Sequence, residues 1–241
     1  MGKTTQDKAV PAPSHWGWYS FDLGKYRPHP NRYVTYSVFP YADLPPLTDA
    51  QFSTDFQWLT PLDLDLYEDM QKYRLTTQER LGSDARGQVI AEQATQLGLT
   101  LPRGFLRFMT SAKLLDRVPS CTACTFSLPD TIVPYPGREN GYVLSFLWDQ
   151  QACGIWHLYL TADGQHKVLE APYDFVELTT EPTQQPATPL QDILRRVRLC
   201  GPSFDEFVYR FWLENTIWFA LNRGTPLTEA QQQYLAHYAK E

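Results

Sequence analysis

The chain has 241 residues, of which 43 % are hydrophobic and 14 % aromatic, and a formal net charge of −6. That length and apolar share supply a substantial core without any covalent staple and exclude wholesale disorder. The acidic balance disfavours a nucleic-acid backbone as a partner, because like charges repel, and no run approaches the about 18–20 apolar residues that a membrane helix needs.

The opening stretch, MGKTTQDKAVPAPS, mixes charge, Ala, Pro and Ser without periodicity, so residues 1–14 are expected to form a mobile tail. It carries no apolar segment of the secretory kind. Cys121, Cys124, Cys153 and Cys200 are too few and too unevenly placed for a disulfide framework. The expected compartment is therefore the cytoplasm.

Aromatic residues crowd the segment from His15 to Tyr41, and Arg32 to Phe39 has the β-branched and aromatic composition of a strand, ended by Pro40. Thr48 and Gln51 have capping-box spacing, and Phe52, Phe56 and Leu59 follow at helical spacing, which predicts a helix over 49–59. After Pro61, Leu62, Leu66, Met70 and Tyr73 share the face of a second predicted helix with an acidic flank. Asp84 is the predicted cap of a third, with Val89, Ile90, Ala94 and Leu97 on its apolar face and Gly98 closing it. Leu101 and Pro102 open a fourth that carries Phe105, Leu106, Phe108 and Met109.

Strand-like runs follow at Tyr142–Trp148 and Gly154–Leu160, joined as an antiparallel hairpin through Asp149, Gln150 and Gln151. Asp163-Gly164 is a tight-turn signal leading into a third strand, Gln165–Leu169. Residues 121–126 and 173–178 are candidate edge strands. The three prolines of 179–189 make an extended connector. Thr188, Pro189 and Gln191 predict a helix through Leu199, and Ser203 with Glu206 forms a capping box for a long helix to about Leu221. The apolar residues Phe204 to Phe219 cover much of that helix, so it is predicted to be largely buried, with Glu206, Arg210 and Glu214 as a four-spaced polar stripe. Thr228 and Gln231 cap a terminal helix that returns Tyr234, Leu235 and Tyr238 to the core.

Chemistry-bearing motifs are sparse. Cys121 and Cys124, with Cys153 and His157, have incomplete zinc-ligand spacing and no knuckle glycine, so they read as small buried residues. The histidines (His15, His29, His157, His166 and His237) stand beside no recognisable nucleophile motif. Asp149, Asp163 and Glu170 read as turn and surface acids, and Gly82, Gly87 and Gly98 form neither nucleotide fingerprint. Arg195, Arg196 and Arg198 form one compact basic cluster, which reads as a solvated helix face. The expectation is a chain with no catalytic residues, metal or cofactor, and with a protein partner met through the hairpin loop Asp149, Gln150 and Gln151, since protein contacts use polar loop groups and exposed aromatics.

The order of these elements resembles the SUKH superfamily. Leu147 to Leu160, LWDQQACGIWHLYL, is similar to the central hairpin of bacterial members related to yeast cell-wall regulators, and Phe207 to Asn215, FVYRFWLEN, to their C-terminal helix. The resemblance spans roughly residues 84–239. It implies an α+β fold, a curved and mainly antiparallel sheet backed by helices, over residues 81–241; residues 15–80 have no counterpart in it and are read as an N-terminal extension packed on that core. It also implies an immunity protein that neutralises a polymorphic toxin domain by direct binding, or, in other relatives, a regulatory scaffold for several proteins. No catalytic residue set comes with it.

Overall fold

The computed structural model describes residues 15–30, 35–63, 77–137, 141–180 and 188–240. The expected tail at 1–14, most of the expected helix after Pro61 and most of the 179–189 connector lie outside them. The fold is α+β.

Its centre is a six-stranded antiparallel sheet. Strands β1 (Gly17–Ser20) and β2 (Ser37–Pro40) form a separate antiparallel pair. The main sheet contains β3 (Thr125–Phe126), β4 (Val133–Pro134), β5 (Gly141–Trp148), β6 (Ile155–Thr161), β7 (His166–Ala171) and β8 (Arg198–Gly201). Its order is β3-β5-β6-β7-β8, with β4 also on β5. The tight turn between β6 and β7 has Gly164 at φ 80°, where an L side chain is strained. The register of β5 on β6 slips between Ser145 and Leu147. This bulge lets the consecutive residues Phe146 and Leu147 both enter the same core.

Helices cover both faces of the sheet, and one packs behind another. The helices are α1 (Thr77–Gln96), α2 (Phe105–Met109), α3 (Ala112–Leu115), α4 (Phe175–Thr180), α5 (Leu190–Arg195), α6 (Phe204–Arg223) and α7 (Glu229–Ala236). One sheet face presents Leu144, Phe146, Trp156, Leu158 and Val168 to Phe105 and Phe108 of α2 and to Phe204, Phe207 and Phe211 of α6. The other presents Val143, Tyr159 and Leu169 to Phe175 of α4 and to Ile193 and Leu194 of α5. The far side of α6 buries Tyr209, Leu213 and Ile217 against Phe21, Leu23, Tyr234 and Leu235. Trp18, Tyr36, Leu44, Phe56 and Leu59 belong to the first of these cores.

Several expected elements take a different form. The strand expected at 32–39 is present as Ser37–Pro40, with 31–34 outside the described residues. The helix expected at 49–59 is a series of turns. Gln51 does accept the Thr48 N–H at 2.7 Å, but Phe56 stands at φ 57°, a conformation no helix continues through. Helix α1 begins at Thr77, so Asp84 lies within it and caps nothing, and Val89 and Leu97 are exposed while Ile90 and Ala94 are buried. Gly98 closes it at φ 67°. Pro102 precedes α2 and accepts the Phe105 N–H through its carbonyl.

The edge strand expected at 173–178 is instead α4, because the Asp174 carboxylate takes the Val176 N–H at 2.9 Å and starts a helix. Helix α5 ends at Arg195 and Pro189 occupies its cap position. The residues expected to continue it form β8, where Leu199 pairs with Leu169 and the helical pattern yields to the open edge of β7. Arg198 is accordingly a strand residue, apart from the expected helix-face cluster. Ser203 caps α6 by accepting the Glu206 N–H at 3.2 Å, but the Glu206 side chain turns to Tyr41 and Arg210, so the reciprocal half of the box is absent. The box at Thr228 and Gln231 is complete.

Candidate functional site

The loop after β5 is built around one inward carboxylate. Asp149 is 5 % exposed. Its Oδ1 accepts the N–H groups of Gln151 at 2.9 Å and Cys153 at 3.2 Å, and its Oδ2 accepts the hydroxyl of Tyr36 at 2.7 Å. With these bonds made, Ala152 is held at φ 54°. The tip formed by Gln150, Gln151, Ala152 and Cys153 is left exposed on a fixed backbone. Of the three residues singled out from sequence, Gln150 and Gln151 therefore face solvent, while Asp149 serves as their anchor.

Residues far away in the chain complete the anchor. The Tyr19 hydroxyl donates to the Cys153 carbonyl at 2.8 Å, and its ring stacks on Tyr36 with centroids 4.5 Å apart. A Cβ at Gly154 would stand 2.7 Å from the Tyr19 ring, so this close approach requires glycine. Tyr36 also touches Cys124 Sγ at 3.3 Å, joining the loop at 120–124, where Ala123 is at φ 58°. Burial pushes the Cys124 thiol up to about 11, and raises Cys121 and Cys200 as well. Cys153 is the exposed thiol of the four.

The rim of this site carries Val38, 46 % exposed and paired with Tyr19, and Arg198, which pairs with the buried Glu170 at 2.8 Å. Burial raises the Glu170 carboxyl to about 7, against the opposing pull of Arg198.

A second polar cluster lies under α7. The carboxylate of Glu214 is fully buried and accepts from Trp18 Nε1 at 2.7 Å, from Arg27 Nη1 and Nη2 at 2.6 Å each, and from the Tyr234 hydroxyl at 2.6 Å. Arg210 donates to the Pro45 carbonyl, the Tyr234 hydroxyl and Glu206. The four-spaced stripe read from α6 is thus an internal ionic network, with two carboxylates facing two guanidiniums. The only sequence sign of it is acidic and basic residues on a helix with too little surface left to expose them. Both oxygens of Glu214 are engaged by these donors.

Ser145, His157 and Asp174 meet beneath α4, all buried. Their order does not activate a nucleophile, because Ser145 Oγ donates to Asp174 at 3.2 Å and His157 Nε2 accepts the Phe175 N–H at 3.3 Å. His157 lies in β6, whereas Cys153 precedes that strand on the loop, so the pair does not share a strand face. Among the described residues no three His, Cys, Asp or Glu side chains are grouped closely enough to hold a metal ion, and no helix is long and apolar enough to cross a membrane.

Compared with protein-family models, with curated proteins and with solved structures, the chain matches none.

Proposed function

We propose that this chain is a non-enzymatic protein-binding domain, an immunity protein of the cytoplasm that neutralises a polymorphic toxin by direct binding. The observation that carries the reading is the exposed tip Gln150–Cys153, set on a backbone fixed by the buried Asp149. A loop already ordered before contact loses little conformational entropy on binding, so its polar groups and the neighbouring Val38 contribute net affinity. The resemblance of residues 147–160 and 207–215 to SUKH proteins supplies the toxin as the class of partner. A net charge of −6 suits a basic toxin domain, whose cleft the loop would occlude.

The test is affinity capture of the tagged chain from its native cells, with mass spectrometry of what is retained at moderate salt. One stoichiometric partner that is a toxin domain, lost when Gln150 and Gln151 are both changed to Ala, supports the proposal. Several substoichiometric partners favour a regulatory scaffold instead. Retention of nothing counts against both.

A further inference from the structure

His157 is fully buried on the second face of the sheet, and its Nε2 faces two groups that make opposite demands. The N–H of Phe175, the first residue of α4, donates to Nε2 at 3.3 Å, which requires an unprotonated nitrogen. Asp174 Oδ1 lies 3.6 Å from the same atom and is served only by a protonated one. One nitrogen cannot do both. Nδ1 is buried without a partner, so the neutral ring that accepts from Phe175 carries its proton where nothing receives it.

We propose that His157 is a proton-operated latch on the start of α4. Neutral, it holds the Phe175 N–H; on taking a proton it releases that N–H and turns to the Asp174 carboxylate. Among the described residues the other charged groups on the elements around it face elsewhere, Glu177 of α4 being exposed. From β5 it meets the hydroxyl of Ser145, itself bonded to Asp174. From β6 and the segment after β4 the titratable neighbours in this core are the phenols of Tyr159 and Tyr135. Lys167, on the same face of β7, lies over Trp16 instead. On α5, Asp192 and Arg195 pair with each other in solvent. Burial works to raise the Asp174 carboxyl, but the Val176 N–H and the Ser145 hydroxyl that it accepts, together with a protonated His157, hold it below the usual range. Phe175 packs on the His157 ring at 4.9 Å and fills the core between α4 and the sheet, so release of its N–H loosens the cover of that face on acidification.

The experiment is NMR on the full chain across a pH series, reading the His157 ring nitrogens and hydrogen exchange of the Phe175 amide, corrected for its intrinsic pH dependence. The expected result is an Nδ1–H tautomer at neutral pH and at least a tenfold loss of Phe175 protection in step with His157 protonation. His157→Gln, whose amide oxygen accepts the N–H without titrating, should keep protection flat over the same range. An Nε2–H tautomer at neutral pH, a His157 that never titrates before global unfolding, or Phe175 protection that ignores the titration would each overturn the proposal.

Discussion

Arg27 and Glu214, 187 positions apart, meet through two parallel bonds of 2.6 Å with both side chains sealed from solvent. The pair fastens the N-terminal segment to the middle of α6. Breaking it from one side strands a charge. Glu214→Gln is expected to lower folding stability by about 3–5 kcal/mol, measured from the urea midpoint at fixed slope. Arg27→Met combined with Glu214→Gln should cost less than the sum of the single changes, because the second removes the charge orphaned by the first.

Glu170 gives a pH dependence with a definite sign. Its carboxyl titrates near 7 in the fold and near 4.5 in the unfolded chain. Between those values the folded chain holds the extra proton, so this residue's contribution to stability falls as pH rises from about 4.5 to about 7. Denaturation of wild type and Glu170→Gln at several pH values should show the difference drifting in that direction. A constant difference would refute the assignment.

The loop at 149–153 separates anchoring from strain. Asp149→Ala removes acceptors for two backbone donors and the Tyr36 hydroxyl, and is expected to cost about 1–3 kcal/mol together with partner affinity. Ala152→Gly relieves the left-handed backbone and should raise stability by up to about 1 kcal/mol. If partner affinity drops in Ala152→Gly while stability does not, the fixed loop backbone is what the partner reads. Calorimetric binding beside thermal denaturation distinguishes these outcomes.

The thiols should differ sharply in reactivity. Cys153 is exposed, although burial of its sulfur and then the nearby Asp149 charge raise its thiol somewhat. A thiol reagent on the native chain at mildly alkaline pH is therefore expected to modify Cys153 first, with Cys121, Cys124 and Cys200 following only on unfolding. Prior loss of Cys124 would show the Tyr36 contact to be open.

The elements legible in sequence were those whose signal is local. The hairpin β5–β6, the Asp163-Gly164 turn, the Ser203 and Thr228 caps and the Gly98 stop all follow from residues within a few positions of one another. The failures share a cause. Residues 173–178 and 196–201 are short runs of mixed apolar and charged residues without a decisive period, and their state was set by Asp174 as a cap and by the free edge of β7. Only half of the capping pattern at Thr48 formed, with Gln51 accepting the Thr48 N–H, and the chain beyond it turned to bury Phe56 and Leu59 in the main core.

For the site, sequence by itself determined that Asp149, Gln150 and Gln151 form a hairpin loop and that α6 carries a charged stripe inside an apolar helix. Only the tertiary structure decided that Asp149 points inward to Tyr36 and that Arg27 and Arg210 answer the stripe's carboxylates. A side chain's direction and ionic partner depend on which distant segments pack over it, and burial makes those partners obligatory, since an unpaired charge or acceptor inside the protein costs more than the contact it would replace.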